Sequence, residues 1–447
     1  MFNTFAKKAL RGRIDNLLYI ASLSMYSGVL YAGAVSWLFA ELAYYFYFQR
    51  VVVARLQPLK KRVRPLFRHP SKIIHSVYNI LENMKTYTFS DFCSGWFLGS
   101  DLTSIYVENY ESFLACKLYL SDYDDLNSGE RAVVAALVKT AQTKFNAITT
   151  PGANSDVQHV RHCLEPMCVS HFPLFVRAAL MCLDTYSACL LRNMGFKRFG
   201  SSAMRYWINV NQSTTRPPVV LTHGITLGWF KYTLLIKKLM VNHTVILLEN
   251  HSSAISSTNY SVPTIDQIVD CFDTILKRHG FLTVSIFGHS WGTFLMGIIV
   301  KMRPASVHYI CFIEPIALMV ALPDFTYSLF CEPAEGVRGA LLKYFVRHNL
   351  VITNNIYREF VWYNNAIMFD EIPKHIETLV CIAEKDFLIN SKPAIEMTDM
   401  HSAKREPVAG KIGRLAFDGA DSGDIITTPV FIDRVMRSFW EYEGSIY

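Results

Sequence analysis

Five residues past the middle of the chain, Gly288-His289-Ser290-Trp291-Gly292, have the types and spacing of a nucleophile held on a tight turn. In Gly-x-Ser-x-Gly the serine leaves the carboxyl end of a strand and opens a helix. Gly288 and Gly292 give the crossing backbone room that a Cβ would fill. The chemistry would be attack of the Ser290 hydroxyl on a carbonyl carbon. Such a hydroxyl needs a base, an acid to orient the base, and donors for the developing oxyanion. The donors should be backbone N–H groups, one from Trp291 and one from Ile225, in the turn His223-Gly224-Ile225.

The acid should follow a late strand. Asp386, at the end of Ala383-Glu384-Lys385-Asp386, meets that condition, and Glu384 reads as a surface charge. Glu314, after the preceding strand, is the alternative acid. The base should be a histidine in the loop before the last helix, in chain order after the serine and the acid. That loop reads Gly419-Ala420-Asp421-Ser422-Gly423-Asp424, and no histidine follows His401. Ser422 stands where the imidazole is expected, and a hydroxyl cannot accept the proton near neutrality. His401, before the last strand, is the nearest substitute in sequence. His289 adjoins Ser290, but the turn is expected to point its side chain away.

These residues must be placed by alternating strands and helices, which begin at residue 217. Strands are expected at 218–222, 244–248, 283–287, 308–313, 378–383 and 412–417. Helices are expected at 264–279, 293–302 and 427–442. Residues 315–370, long and aromatic, are expected to form a helical cap. The result is an α/β architecture, a mostly parallel sheet with helices on both faces. Residues 71–199 read as helical, with Asn127-Ser-Gly-Glu130 as a capping box and 171–194 as a long apolar run. His159, His162, Cys163, Cys168 and His171 crowd together there, but they lack the paired spacing of a zinc site. No metal and no cofactor is expected.

Composition divides the chain differently. Of 447 residues 51% are hydrophobic and 18% charged, with a net charge of +7. Residues 1–72 carry twelve Lys/Arg against Asp15 and Glu41, whereas the remainder is slightly acidic. Nucleic acid is therefore not an expected partner, because the folded region lacks the positive surface it would need. Residues 17–40 hold no charge, enough for one transmembrane helix, and aromatics follow at 44–48. The heavier basic flank lies after the helix, which predicts a cytosolic main domain, with the endoplasmic reticulum the favoured organelle. Four Asn-x-Ser/Thr triplets, from Asn211, Asn242, Asn250 and Asn259, are read as chance. Ten scattered cysteines read as reduced thiols. Ser24, Gly28, Ala32, Ser36 and Ala40 form a small-residue stripe that would let two such helices pair.

His223-Gly224-Ile225, Leu247-Leu248-Glu249, Gly288 to Thr293 and Glu314-Pro315-Ile316, behind a membrane segment and a helical preface, resemble the α/β-hydrolase superfamily. The closer resemblance is to its membrane-anchored members of lower eukaryotes. It implies Ser290 as nucleophile and Asp386 as acid. The expected organisation is an anchor over 1–72, a helical region over 73–200 and the hydrolase domain over 201–447. The expected function is hydrolysis of an ester or thioester of a lipid or other small apolar acyl substrate at a membrane. Ser422 motivates the other reading, a catalytically impaired relative that binds a ligand or partner.

Overall fold

The computed structural model describes residues 29–59, 69–201, 204–404 and 410–446. The chain forms two compact units. One is Met1–Pro58 with His171–Ala179, and the other is Leu59–Ser170 with Leu180–Tyr447.

In the first unit, helix Val29–Leu56 is long and apolar enough to cross a membrane. Its Glu41 accepts from the Leu174 amide at 2.9 Å and meets His171 Nε2 at 2.7 Å, and Tyr44, Tyr45 and Phe48 ring that imidazole. Expected residues 17–28 of the span, including Ser24 and Gly28 of the stripe, lie outside the described residues. Helix Leu174–Asn193 also meets the length and hydropathy criteria for a span.

The second unit is organised by an eight-stranded sheet. Its strands are β1 (Lys197–Gly200), β2 (Arg205–Asn209), β3 (Val219–Thr222), β4 (Val245–Glu249), β5 (Val284–His289), β6 (Val307–Ile313), β7 (Glu377–Lys385) and β8 (Ile412–Asp421). The spatial order is β1-β2-β4-β3-β5-β6-β7-β8. β3 to β8 are parallel, while β1 and β2 form an antiparallel edge. The sheet therefore begins about twenty residues before the expected onset of alternation. Lys197–Gly200 keeps a mostly exposed pattern, so no hydrophobic alternation announced it.

Central strands are buried on both faces, as parallel strands under helices must be. On one face Val219, Leu247, Phe287 and Tyr309 pack with side chains of helices Thr233–Met240 and Pro429–Ile446. Alternate residues such as Val220, Ile246 and Ile286 are equally buried and point to the other face. Helix Ile265–His279 starts with a Thr264/Gln267 capping box and stops at Gly280, in the left-handed region at φ 72°. Between β6 and β7 run short helices, among them Pro323–Phe330 and Leu350–Asn354, which make the expected cap. Upstream, the Asn127/Glu130 capping box opens helix Ser128–Phe145.

Candidate active site

β5 ends at His289, and the chain turns at Ser290 with φ 49°, which L-residues seldom adopt. The register explains how the turn is held. Thr222 pairs with Gly288, and His289 with Ile313, so the ends of β3, β5 and β6 lie side by side. The Ser290 amide donates to the Ile313 carbonyl at 2.9 Å, and helix Gly292–Met302 follows at once. A Cβ on Gly292 would sit 2.5 Å from the Thr222 carbonyl oxygen, a clash with fixed backbone. Gly224 lies against the turn: its Cβ would stand 3.0 Å from both His289 Nδ1 and Ser290 Cβ. The loop carrying Ile225 is thus pressed onto the serine. Among the described residues neither the Ile225 nor the Trp291 amide makes a backbone hydrogen bond outside regular elements, which leaves them available as donors.

His223 serves the scaffold. Its Nε2 accepts from the Asn250 amide at 3.1 Å, so Nδ1 bears the proton and donates to the Gly224 carbonyl at 2.8 Å. Burial pushes its pKa down, keeping the ring neutral.

Glu314 is the hub of the polar cluster. It is 1% exposed and follows β6 with φ 52°, a second strained non-glycine residue beside the first. Its Oε1 accepts from the Gly423 amide at 2.7 Å, and its Oε2 from His289 Nε2 at 3.1 Å and Ser422 Oγ at 3.3 Å. Ser422 also lies near enough to the Asp386 carboxyl to act on its titration. The expected acid, the alternative acid and the expected histidine position therefore converge. Burial, then the nearby Glu314 charge, pushes the Asp386 carboxyl up to about 8. Glu384, which the sequence suggested as a surface charge, accepts from the Gly419 amide at 2.7 Å and braces this loop.

His289 departs from expectation. Its ring is wired into the cluster, with Nδ1 2.8 Å from Tyr232 Oη and Nε2 on Glu314. The Gly224 amide donates to Tyr232 Oη at 2.9 Å, freeing the phenol proton for Nδ1 and assigning the Nε2–H donor to Glu314. Tyr232, which no motif marks, thereby joins the oxyanion loop to the acid.

His401 belongs elsewhere. Its Nδ1 is 2.8 Å from the Met397 carbonyl, and its ring stacks on Phe369 at 4.7 Å. It ends helix Ser391–Ala403, whose Ser402 Oγ donates to the Ile412 carbonyl where β8 starts. That is the amino end of a parallel strand, opposite the elbow. Among the described residues no imidazole hydrogen-bonds Ser290 Oγ. The upstream His/Cys residues also disperse: His159 Nε2 meets Ser112, His162 stacks on Phe330, and Cys163 meets Cys116.

No family model and no curated protein matches the chain. Among solved structures it is similar to a serine hydrolase from Cycloclasticus zankles, at 14% identity and TM-score 0.39, over 55% of this chain and 97% of that one. It is similar to carboxylesterase CesB from Bacillus subtilis, at 13% and 0.40, over 59% and 98%. It is also similar to a haloalkane dehalogenase variant from Bradyrhizobium elkanii, at 12% and 0.39, over 56% and 98%. The strand order, the parallel β3–β8 core, the turn at Ser290 and the helical insertion after β6 are this chain's own features, and by them it has the α/β-hydrolase fold.

Proposed function

We propose that the protein is a membrane-anchored serine hydrolase acting on an ester or thioester of a lipid or other apolar acyl group. The observation that carries this reading is Ser290, strained at φ 49° on the turn, with the Ile225 and Trp291 amides free beside it. Ser290 Oγ would attack the acyl carbonyl, the two amides would hold the oxyanion, and water would release the acid from the acyl-enzyme. Trp291, packed on Phe294 and Phe360 at 4.9 and 5.1 Å, walls the site with apolar surface suited to an acyl chain. Helix Val29–Leu56 would keep the site at a bilayer, where membrane lipids are the nearest substrates. In this reading the domain faces the cytosol. Asn250 is buried with its Oδ1 engaged by Ser252, which suits a triplet that carries no sugar.

The weak step is removal of the serine proton. Ser422 stands where the imidazole is expected and donates to Glu314 at 3.3 Å, which favours the second reading, a hydrolase-fold binding protein. Loss of one triad member still leaves roughly 10³–10⁴-fold catalysis over water, so slow turnover is expected rather than none. A fluorophosphonate probe and a p-nitrophenyl acyl ester decide between them. Labelling and turnover, both lost in Ser290→Ala, support the hydrolase. A folded protein that binds an apolar ester without labelling or turnover is the binding protein.

A further inference from the structure

Away from the elbow, helix Val107–Tyr119 brings two thiols and a buried amine together. Cys116 Sγ and Cys163 Sγ are 3.5 Å apart, and both cysteines are reduced. Next to Cys116, Lys117 is 8% exposed, with its Nζ 3.5 Å from the centroid of the Trp96 ring. No carboxylate forms an ion pair with it among the described residues. A buried ammonium needs a counter-anion. Burial pulls the Lys117 pKa down, and the anionisable groups that work against this are thiols, Cys116, Cys163 and Cys331.

The pair is asymmetric. Cys116 is buried, whereas Cys163 is half-buried on the turn His162–Leu164. The Cys116 thiol as donor, then the Lys117 and Arg161 charges, favour ionised Cys163 against the cost of burial. Both thiols and Lys117 line an aromatic cavity of about 40 Å³. That space takes a few water-sized molecules and excludes a bulky organic disulfide.

We propose that Cys163 is a peroxide-reactive nucleophile and Cys116 its resolving thiol. Cys163 thiolate attacks one oxygen of hydrogen peroxide. The O–O bond breaks, and the departing hydroxide takes the Lys117 proton and leaves as water. Cys163 becomes a sulfenic acid. Cys116 sulfur then displaces the sulfenic hydroxyl, which leaves as the second water with the Cys116 proton. Two thiols lose two electrons, peroxide gains them, and one disulfide forms. The bond would tie helix Val107–Tyr119 to the turn whose His162 stacks on Phe330 of the cap at 5.0 Å. Its cavity also touches Phe360, the neighbour of Trp291.

The molecule holds its own controls. Cys311 and Cys381 lie 3.9 Å apart but are fully buried on β6 and β7, with burial pushing the Cys311 thiol well up. Cys168, Cys182 and Cys189 are exposed. The test is peroxide titration of the full-length protein in detergent, followed by non-reducing peptide mass spectrometry and dimedone trapping. A Cys116–Cys163 link should form at about tenfold lower peroxide than oxidation of Cys168, because thiolate character outweighs exposure. Glutathione disulfide should not produce it. Cys116→Ser should stop the reaction at a dimedone-reactive Cys163, and Lys117→Met should slow it about tenfold. Oxidation in order of exposure, with Cys168 first and no Cys116–Cys163 peptide in the unaltered protein, would overturn the proposal.

Discussion

Two buried histidine–carboxyl pairs sit in the sheet domain at the same separation, 3.1 Å, and they do different things. His243 meets Glu443, and His289 meets Glu314. At the first, Arg216 lies 2.8 Å from Glu443, and His243 Nδ1 is held by the Pro217 carbonyl at 3.0 Å. The carboxylate is matched by a cation, and its neighbourhood is free of positive-φ side chains. At the second, among the described residues, no Lys or Arg forms an ion pair with Glu314. Its donors are a backbone amide, a hydroxyl and a ring N–H, a second carboxyl stands beyond Ser422, and two residues are strained. Compensated charge on relaxed backbone is a structural clamp. Uncompensated acid on strained backbone has the character of a reaction site.

The largest expected effect breaks the second pair's inertness. Ser422→His would set an imidazole between Glu314 and Asp386, facing Ser290. General-base assistance is worth typically 10²–10⁴-fold, so p-nitrophenyl ester turnover should rise by at least about 100-fold and vanish again with Ser290→Ala. An unchanged rate in a folded variant would mean that the loop does not aim residue 422 at the serine.

A smaller effect separates the two pairs by stability. Glu443→Gln leaves Arg216 and His243 without their charge, and breaking a buried pair should cost about 3 kcal/mol in a denaturant titration. Glu314→Gln removes no cation's partner and should cost about 1 kcal/mol, the scale of one imperfect hydrogen bond. It should also bring Asp386 down from about 8, read by carboxyl carbon NMR, because the Glu314 charge contributes to that rise. Equal losses would erase the distinction between clamp and site.

The smallest effect is in the pH profile. Asp386 has its pKa raised on folding, so the folded state binds its proton more tightly than the unfolded chain does. The resulting stability is fully present below about pH 4, the ordinary carboxyl value, and is lost as pH rises through about 8. Relative to Asp386→Asn, the unaltered protein should therefore lose stability between pH 5 and 8. The opposite slope would show Asp386 charged in the fold.

Much of this was legible from residues close in the chain. The turn at Ser290 is set by Gly288, Gly292 and a β-rich run leading into an apolar helix. Each acts on its immediate neighbours, so local sequence states the geometry. The same holds for the Asn127/Glu130 and Thr264/Gln267 caps, which are three-residue hydrogen-bond patterns. The absence of a loop histidine is likewise a plain fact of sequence order.

What remained illegible joins residues far apart. β1 and β2 are short strands at one side of the sheet, and Arg205–Asn209 gains its burial from β4 and the residues packed on the sheet. Its Tyr206-Trp207-Ile208 core favours a strand, but three residues do not say which strand they pair with. His289 was expected to turn away because the motif describes only backbone. Tyr232, 57 residues before it, and Glu314, 25 after it, decide where the ring goes. Glu314 and Asp386 could be ranked by chain order alone as alternatives, but the fold brings both carboxyls to the neighbourhood of Ser422. His243 and Glu443 stand 200 residues apart, and only closure of the final helix onto the sheet makes them a pair. The sequence by itself determined the turn, the helix starts and the kinds of group available. The tertiary structure alone decided which of those groups share a site, because burial and long-range hydrogen bonds exist only once the strands are side by side.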